Sequence, residues 1–246
     1  MGSMREVKTN EQTIPAYLAT PEGEAKGAII VIHEVWGLND HTKEIADRFA
    51  AEGYLALAPD LLSDPEIDTS SMAELQEGLF DPERTNEIQP ELRRLMAPLQ
   101  NPEFGTKTTK SAKACFDYLY DMSESKQKVA VVGFCFGGSY SFNLAVAEPR
   151  LVAAIPFYGH SDHAVDNLKQ IKCPVLAFYG EHDTNLMEGL DDLREKMKEA
   201  GVDFTAKVYP DCGHAFFNDT NRFAYNEAAA KDAWLLTIQT LERAVS

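Results

Sequence analysis

Cysteine is scarce in this chain, with four in 246 residues: Cys115, Cys135, Cys173 and Cys212. Four are too few for a disulfide scaffold, and no pair has the close spacing of a zinc knuckle, so a reducing compartment fits and a cytoplasmic location is expected. Positive charge is scarce as well: 23 Lys and Arg stand against 39 Asp and Glu, a formal net charge of −16. Without a Lys/Arg run the footprint of a nucleic-acid binder is missing, and attraction to an anionic membrane is not expected. No apolar stretch approaches the roughly 20 residues that cross a bilayer. Internal repeats and low-complexity tracts are lacking too. Met1-Gly2-Ser3 reads as an expression scar, and charged Arg5, Glu6 and Lys8 follow Met4 where a signal peptide would carry an apolar core.

What is present is enough for one substantial core: 44% of the residues are hydrophobic and 10% aromatic, so residues 4–246 are expected to form a single domain. In so acidic a chain an anionic substrate needs a local cationic pocket, which makes Arg84, Arg93, Arg94 and Arg222 worth following.

Short apolar runs alternate with longer amphipathic segments, the pattern of parallel strands joined by crossover helices. The predicted strands are Ala28–His33, Tyr54–Ala58, Lys128–Gly133, Val152–Tyr158, Val175–Gly180 and Phe204–Tyr209. Several are continuously apolar, as strands covered on both faces require. The predicted helices are Thr42–Ala51, Thr106–Asp121, Gly138–Ala147, Leu186–Ala200 and Arg222–Ala244, and Glu6–Thr20 reads as an antiparallel pair at the sheet's edge. Residues 63–103 break the alternation with Pro65, Pro82, Pro90, Pro98 and Pro102, and read as an excursion that is either a lid or pocket wall or a plain surface insertion.

The strongest local signal is Gly133-Phe134-Cys135-Phe136-Gly137-Gly138, where an apolar strand runs into a helix. This is the pattern of a nucleophile elbow with Cys in the Ser position. A sharp turn pushes the Cys135 side chain out at the sheet's carboxyl edge, and Gly133 and Gly137 leave room for close backbone approach. The helix N-terminus favours a thiolate and offers the amide of Phe136 to a developing oxyanion. Partners are then expected in the order acid, base, on loops after later strands. Gly180-Glu181-His182-Asp183 follows one such strand, and Asp211-Cys212-Gly213-His214 follows the next. Asp183 would orient His214, and His214 would exchange a proton with Cys135. Glu34, in His33-Glu34-Val35-Trp36-Gly37, falls beside the elbow, where a carboxylate opposes thiolate formation unless it is moved or neutralised.

Taken together, Glu34–Gly37, Gly53-Tyr54, Ala58–Leu61, the elbow, Tyr158-Gly159, Gly180–Asp183 and Gly213–Phe216 resemble, in order and over nearly the whole chain, the dienelactone hydrolase (carboxymethylenebutenolidase) family. The resemblance implies an α/β-hydrolase fold, a mostly parallel central sheet with helices on both faces, and a hydrolase without cofactor or metal. It implies opening of an unsaturated lactone or cleavage of a small ester, with substrate displacing the Glu34 carboxylate to release the thiolate. By the same resemblance the backbone amides of Val35 and Phe136 form the oxyanion hole and Tyr158 lines the pocket, which Trp36, Phe136 and Phe216 are expected to share. Family members hold a substrate carboxylate with two arginines; Arg84 is a loose counterpart of the first, and Asn218 stands at the second. The departure bears on dienelactone as the particular substrate.

Other patterns are weaker. His160, Asp162 and His163 lack a further ligand pair at metal-binding spacing, and His33-Glu34 has Gly37 where a zinc-protease helix needs its second His. His41 reads as a helix-entry residue, Trp36 and Trp234 as core or pocket wall, and Cys115 and Cys173 as packing. Cys212, two residues from His214, is a conceivable resolving thiol. The partner expected is a small ester or lactone, the chain acting as monomer or homodimer. A broad short-chain carboxylesterase is the second reading, and a redox-sensing relative that uses only Cys135 is the alternative of another class.

Overall fold

The apolar runs become strands of one sheet. In a computed structural model, which describes residues 2–63, 72–79, 90, 91, 93, 94 and 96–246, the elements begin with β1 (Ser3–Lys8), β2 (Thr13–Ala19), β3 (Ala28–Ile32), α1 (Asp40–Ala51), β4 (Leu55–Pro59) and α2 (Met72–Leu79). They continue with α3 (Pro102–Asp121), β5 (Val129–Phe134), α4 (Phe136–Ala147), β6 (Ala154–Phe157) and α5 (Val165–Leu168). The last are β7 (Val175–Gly180), α6 (Thr184–Ala200), β8 (Phe204–Tyr209) and α7 (Glu227–Val245). The eight strands lie in the order β1-β2-β4-β3-β5-β6-β7-β8. β2 runs antiparallel to both neighbours, and the pairs from β4 to β8 are all parallel.

Period-two alternation sends successive side chains of the central strands to opposite faces. Ile30 and Ile32 of β3 with Val129 and Val131 of β5 pack against α3, α4 and α6 through Phe116, Leu119, Phe142, Leu144 and Leu193. Ile29, Val31, Ala130 and Val132 turn the other way, onto Ile45 and Phe49 of α1 and Ala233, Ile238 and Leu241 of α7. Burial of both faces explains why these strands read as continuous apolar runs.

Boundaries moved where a side chain caps a helix. Arg222 does not open the last helix: Asn226 accepts from Ala229 N at 3.1 Å, so α7 starts at Glu227. Asn101 followed by Pro102 starts α3 four residues before the predicted Thr106. The strand predicted to reach Tyr158 stops at Phe157, because Tyr158 turns to φ +38°. Of the 63–103 excursion, Pro65, Pro82 and Arg84 lie outside the described residues, while Met96 and Leu99 are described and reach the site below.

The parallel register aligns the carboxyl ends of five strands. Ile32 pairs with Gly133, Phe134 with Phe157, Phe157 with Phe178, and Gly180 with Tyr209. Glu34, Cys135, Tyr158, Asp183 and His214 all follow those ends in the chain, so one edge of the sheet gathers them.

Candidate active site

Between β5 and α4 the chain turns on a single residue. Cys135 sits at φ 55° and ψ −110°, a conformation that costs a non-glycine residue on the order of 1–3 kcal/mol and persists only where the surroundings impose it. Here Cys135 N donates to Phe157 O at 3.0 Å, and Cys135 O accepts from Ser139 N at 3.1 Å, which starts the helix. A Cβ at Gly133 would lie 2.0 Å from Gly137 O, and one at Gly137 would lie 2.3 Å from Ile32 O, so a larger residue at the first would push α4 off β5 and one at the second would push α4 off β3.

The loop after β3 is fixed from below by His33, which is shut off from solvent. Its Nε2 accepts from Leu61 N at 3.0 Å, so the proton is on Nδ1, 2.5 Å from Glu34 O. Burial lowers its pKa, against the pull of Asp60 and of the hydrogen bond to Glu34 O, and keeps the ring neutral. The ring stacks on Phe136 at 5.6 Å and 1°, and His33 O accepts from Gly137 N at 3.1 Å. One histidine therefore joins the Glu34–Val35 loop to the elbow. The amides of Val35 and Phe136, which both line the cavity, have no acceptor among the described residues.

Asp183 occupies the N-cap position of α6 but caps nothing. Its carboxylate Oδ2 instead lies 2.5 Å from His214 Nδ1. The two loops meet closely because a Cβ at Gly180 would lie 2.5 Å from Cys212 O, and His182 N donates to Cys212 O at 2.8 Å. Asp183 is buried, whereas His214 leaves 45% of its side chain accessible and pairs on its other side with Cys135. Partial burial of the ring works against its charge. The facing Cys135 and the Asp183 carboxylate, each hydrogen-bonded to the ring, outweigh burial and hold the His214 pKa well above the ordinary imidazole range.

Beside this pair lies the buried carboxyl of Glu34. Tyr158 OH donates to Oε1 at 3.1 Å and Asn218 Nδ2 donates to Oε2 at 2.9 Å. The Asn218 amide is itself oriented, because its Oδ1 accepts from Thr220 N at 3.0 Å and from Thr220 Oγ1 at 2.6 Å. Burial raises the Glu34 pKa, and Asn218, the charge of His214 and Tyr158 pull it back. Burial first, with Glu34 and Cys135 close by, puts the Tyr158 phenol well above its usual range, so it remains a donor.

A cavity of about 340 Å³ opens over these groups, lined by Val35, Cys135, Phe136, Tyr158 and His214, by Met96 and Leu99 of the excursion, and by residues of α4, the loop after β6 and α6. Two expected wall residues are elsewhere. Phe216 is fully buried under Tyr158, at 5.7 Å, and against Tyr209, because it follows Ala215, whose φ of +62° turns the chain back into the core. Trp36 packs against Met72 and Leu75 of α2 and does not line the cavity. Arg84 lies outside the described residues. Arg94 pairs with Glu91 and Arg222 lies over the Phe223 ring at 4.7 Å. Sequence reasoning passed over His33, which it weighed only as a zinc ligand, and saw Asn218 only as a missing arginine. A Cys-facing carboxylate needing buried donors was the one signal that pointed to Asn218.

A parallel sheet entered by one antiparallel strand, with a strained elbow and later Asp and His loops at its carboxyl edge, defines the α/β-hydrolase class. The model of the dienelactone hydrolase family matches residues 14–245, and the chain belongs to that family. A Saccharolobus solfataricus protein named "Putative carboxymethylenebutenolidase" is 37% identical over 241 residues, covering 90% of each chain. The crystal structure of a "Putative Dienelactone Hydrolase" from Klebsiella pneumoniae superposes with a TM-score of 0.79 at 25% identity, over 98% of both chains. A dienelactone hydrolase-like promiscuous phosphotriesterase from metagenomic libraries shares the fold, with a TM-score of 0.77 at 21% identity over 99% of this chain and 98% of the other. The protein is thus a hydrolase of the kind that acts on lactones or esters. No described helix is long and apolar enough to cross a membrane.

Proposed function

We propose that Cys135 is the nucleophile of this hydrolase, working through an acyl-thioester with His214 and Asp183. The observation that carries the reading is the continuous chain from the Asp183 carboxylate, 2.5 Å from His214 Nδ1, through the ring to Cys135 at the strained elbow. The Cys135 thiolate attacks the carbonyl carbon, and the oxyanion settles on the free amides of Val35 and Phe136. The imidazolium of His214 gives its proton to the leaving oxygen as the C–O bond breaks, leaving a thioester and, for a lactone, a tethered hydroxyl. Neutral His214 then takes a proton from water, which attacks the thioester; the C–S bond breaks, and thiolate, imidazolium and carboxylic acid result. Asp183 holds the tautomer and stabilises the imidazolium throughout. Glu34, gripped by Asn218 and Tyr158, is a positioning group whose charge adds to that of Asp183 on His214.

Met96, Leu99, Phe136, Tyr140 and Leu186 beside the reacting groups suit the apolar part of a small ester or lactone. The test is hydrolysis of p-nitrophenyl acetate and of cis- and trans-dienelactone by wild type, Cys135→Ser, His214→Ala and Asp183→Asn. The expected outcome is a loss of about 10³-fold or more in kcat for each variant. Turnover that survives Cys135→Ser or His214→Ala at the wild-type rate would refute the assignment.

A further inference from the structure

The hydrogen bond from Asn218 to Glu34 joins two stretches far apart in the chain, the loop after β3 and the turn after His214. One residue further along that turn, the same two stretches are joined again. The loop after β3 runs directly into α1, which carries His41 in its first turn and Arg48 in its last. Arg48 Nη2 donates to Asp219 Oδ2 at 2.6 Å, and His41 Nδ1 lies 3.3 Å from Asp219 Oδ1. Each oxygen of the Asp219 carboxylate therefore faces its own basic residue of α1. His41 is buried, and the Asp219 and Arg48 side chains keep only 29% and 35% of their surface, so this is no loose pair in open solvent.

The turn that carries Asn218 is stiff within itself. Asn218 N donates to Ala215 O and Asn221 N to Asn218 O, both at 3.0 Å, and Thr220 holds the Asn218 amide oxygen. Phe216 and Phe217 anchor its near side in the core, and Asp219 ties its far side to α1. A turn that is stiff inside moves as a unit, so release of Asp219 lets the neighbouring Asn218 amide swing off Glu34. Asp219, His41 and Arg48 do not line the cavity over Cys135, and the catalytic steps use none of them. Their route to the reaction is through Asn218 and Glu34.

We propose that Asp219, clasped by His41 and Arg48 of α1, is a positioning residue of the hydrolase that holds the Asn218 amide on the Glu34 carboxylate; the proposal rests on Cys135 as nucleophile and on Glu34 as support for His214. Glu34 is faced by Asn218, His214 and Tyr158, and Asp219 by His41 and Arg48, with Glu44, Glu52 and Lys231 around them. The experiment follows the acid limb of kcat/KM for p-nitrophenyl acetate in wild type, Asp219→Ala, Arg48→Met, Asn218→Leu and the double variant Asp219→Ala/Asn218→Leu. A loosened Asn218 donates less to the charged form of Glu34, so the limb should move to higher pH, by about half a unit, in Asp219→Ala and in Arg48→Met alike. Asp219→Ala should add nothing once Asn218→Leu is in place. A direct effect of charge has another signature, because loss of an anion and loss of a cation move the limb in opposite directions. Opposite shifts, full additivity in the double variant, or a limb that moves in Asn218→Leu but not in Asp219→Ala overturns the clasp and leaves the nucleophile in place. A limb that stays still in Asn218→Leu as well overturns the support from Glu34, and the clasp with it. Absence of Cys135-dependent turnover overturns the catalytic reading and the clasp together.

Discussion

Asn218 donates from Nδ2 to Glu34 Oε2 at 2.9 Å, and neither side chain reaches solvent to any extent. The resemblance to the family led to an expectation that substrate displaces the Glu34 carboxylate. In the structure that carboxylate already has a donor on each oxygen, Asn218 on one and Tyr158 on the other, and Cys135 already has His214 as a partner. These two hydrogen bonds give the Glu34 carboxyl a seat beside the pair of Cys135 and His214, and displacement by substrate has to break both of them.

Asn218→Leu tests this grip. Burial already raises the Glu34 pKa, and loss of a donor to the charged form raises it further. Glu34 then stays neutral to higher pH, its support for the His214 imidazolium sets in later, and the acid limb of kcat/KM moves to higher pH. A stability loss of about 1–3 kcal/mol should accompany the shift, because the Glu34 oxygen is left without its partner. A pH–rate profile that does not move would show that Asn218 serves the fold alone.

His214 should carry its proton well above the ordinary imidazole range. A raised pKa means that the charged ring persists at neutral pH and is lost only as pH climbs through the raised value. Ring-proton or 15N NMR of the resting enzyme should show imidazolium at pH 8. Cys135→Ser removes the facing sulfur, and the His214 titration should fall back toward the ordinary value. Titration near 6.5 in the wild type would contradict a preformed pair.

Stability in acid depends on a different carboxylate. Glu148 is buried, and hydrogen bonds from Arg150, with further help from Lys113, overcome its burial and hold its pKa at about 2. A depressed carboxyl contributes stability that is complete above its unfolded value near 4.5 and disappears as pH falls toward 2. Glu148→Gln should therefore cost on the order of 2 kcal/mol at pH 7 and flatten the loss of stability between those limits, as followed by urea unfolding.

Much of this was legible in the sequence, and for a physical reason. Strands buried on both faces leave apolar runs that cannot be disguised, and the elbow demands glycines where a Cβ would strike Gly137 O or Ile32 O. The meeting of Cys135, Asp183 and His214 at one sheet edge was legible because each follows its own strand. The loops were less so. Phe216 looks like a wall residue from its place after His214, yet the positive φ of Ala215, which no glycine announces, turns it into the core. Trp36 follows the oxyanion loop in sequence, but its partners Met72 and Leu75 lie in α2 of the excursion, a pairing without a periodic signal. His33 was misread because its two ring bonds, to Leu61 N and Glu34 O, are tertiary facts.

The central claim is the covalent one, and it has a direct measurement: wild-type enzyme mixed with p-nitrophenyl acetate, quenched in acid within the first turnovers, digested and examined by mass spectrometry. The account predicts an acetyl group on the peptide carrying Cys135, labile to hydroxylamine and absent from Cys135→Ser. Steady hydrolysis with Cys135 unmodified at every time point, or acetyl on another residue, would contradict it.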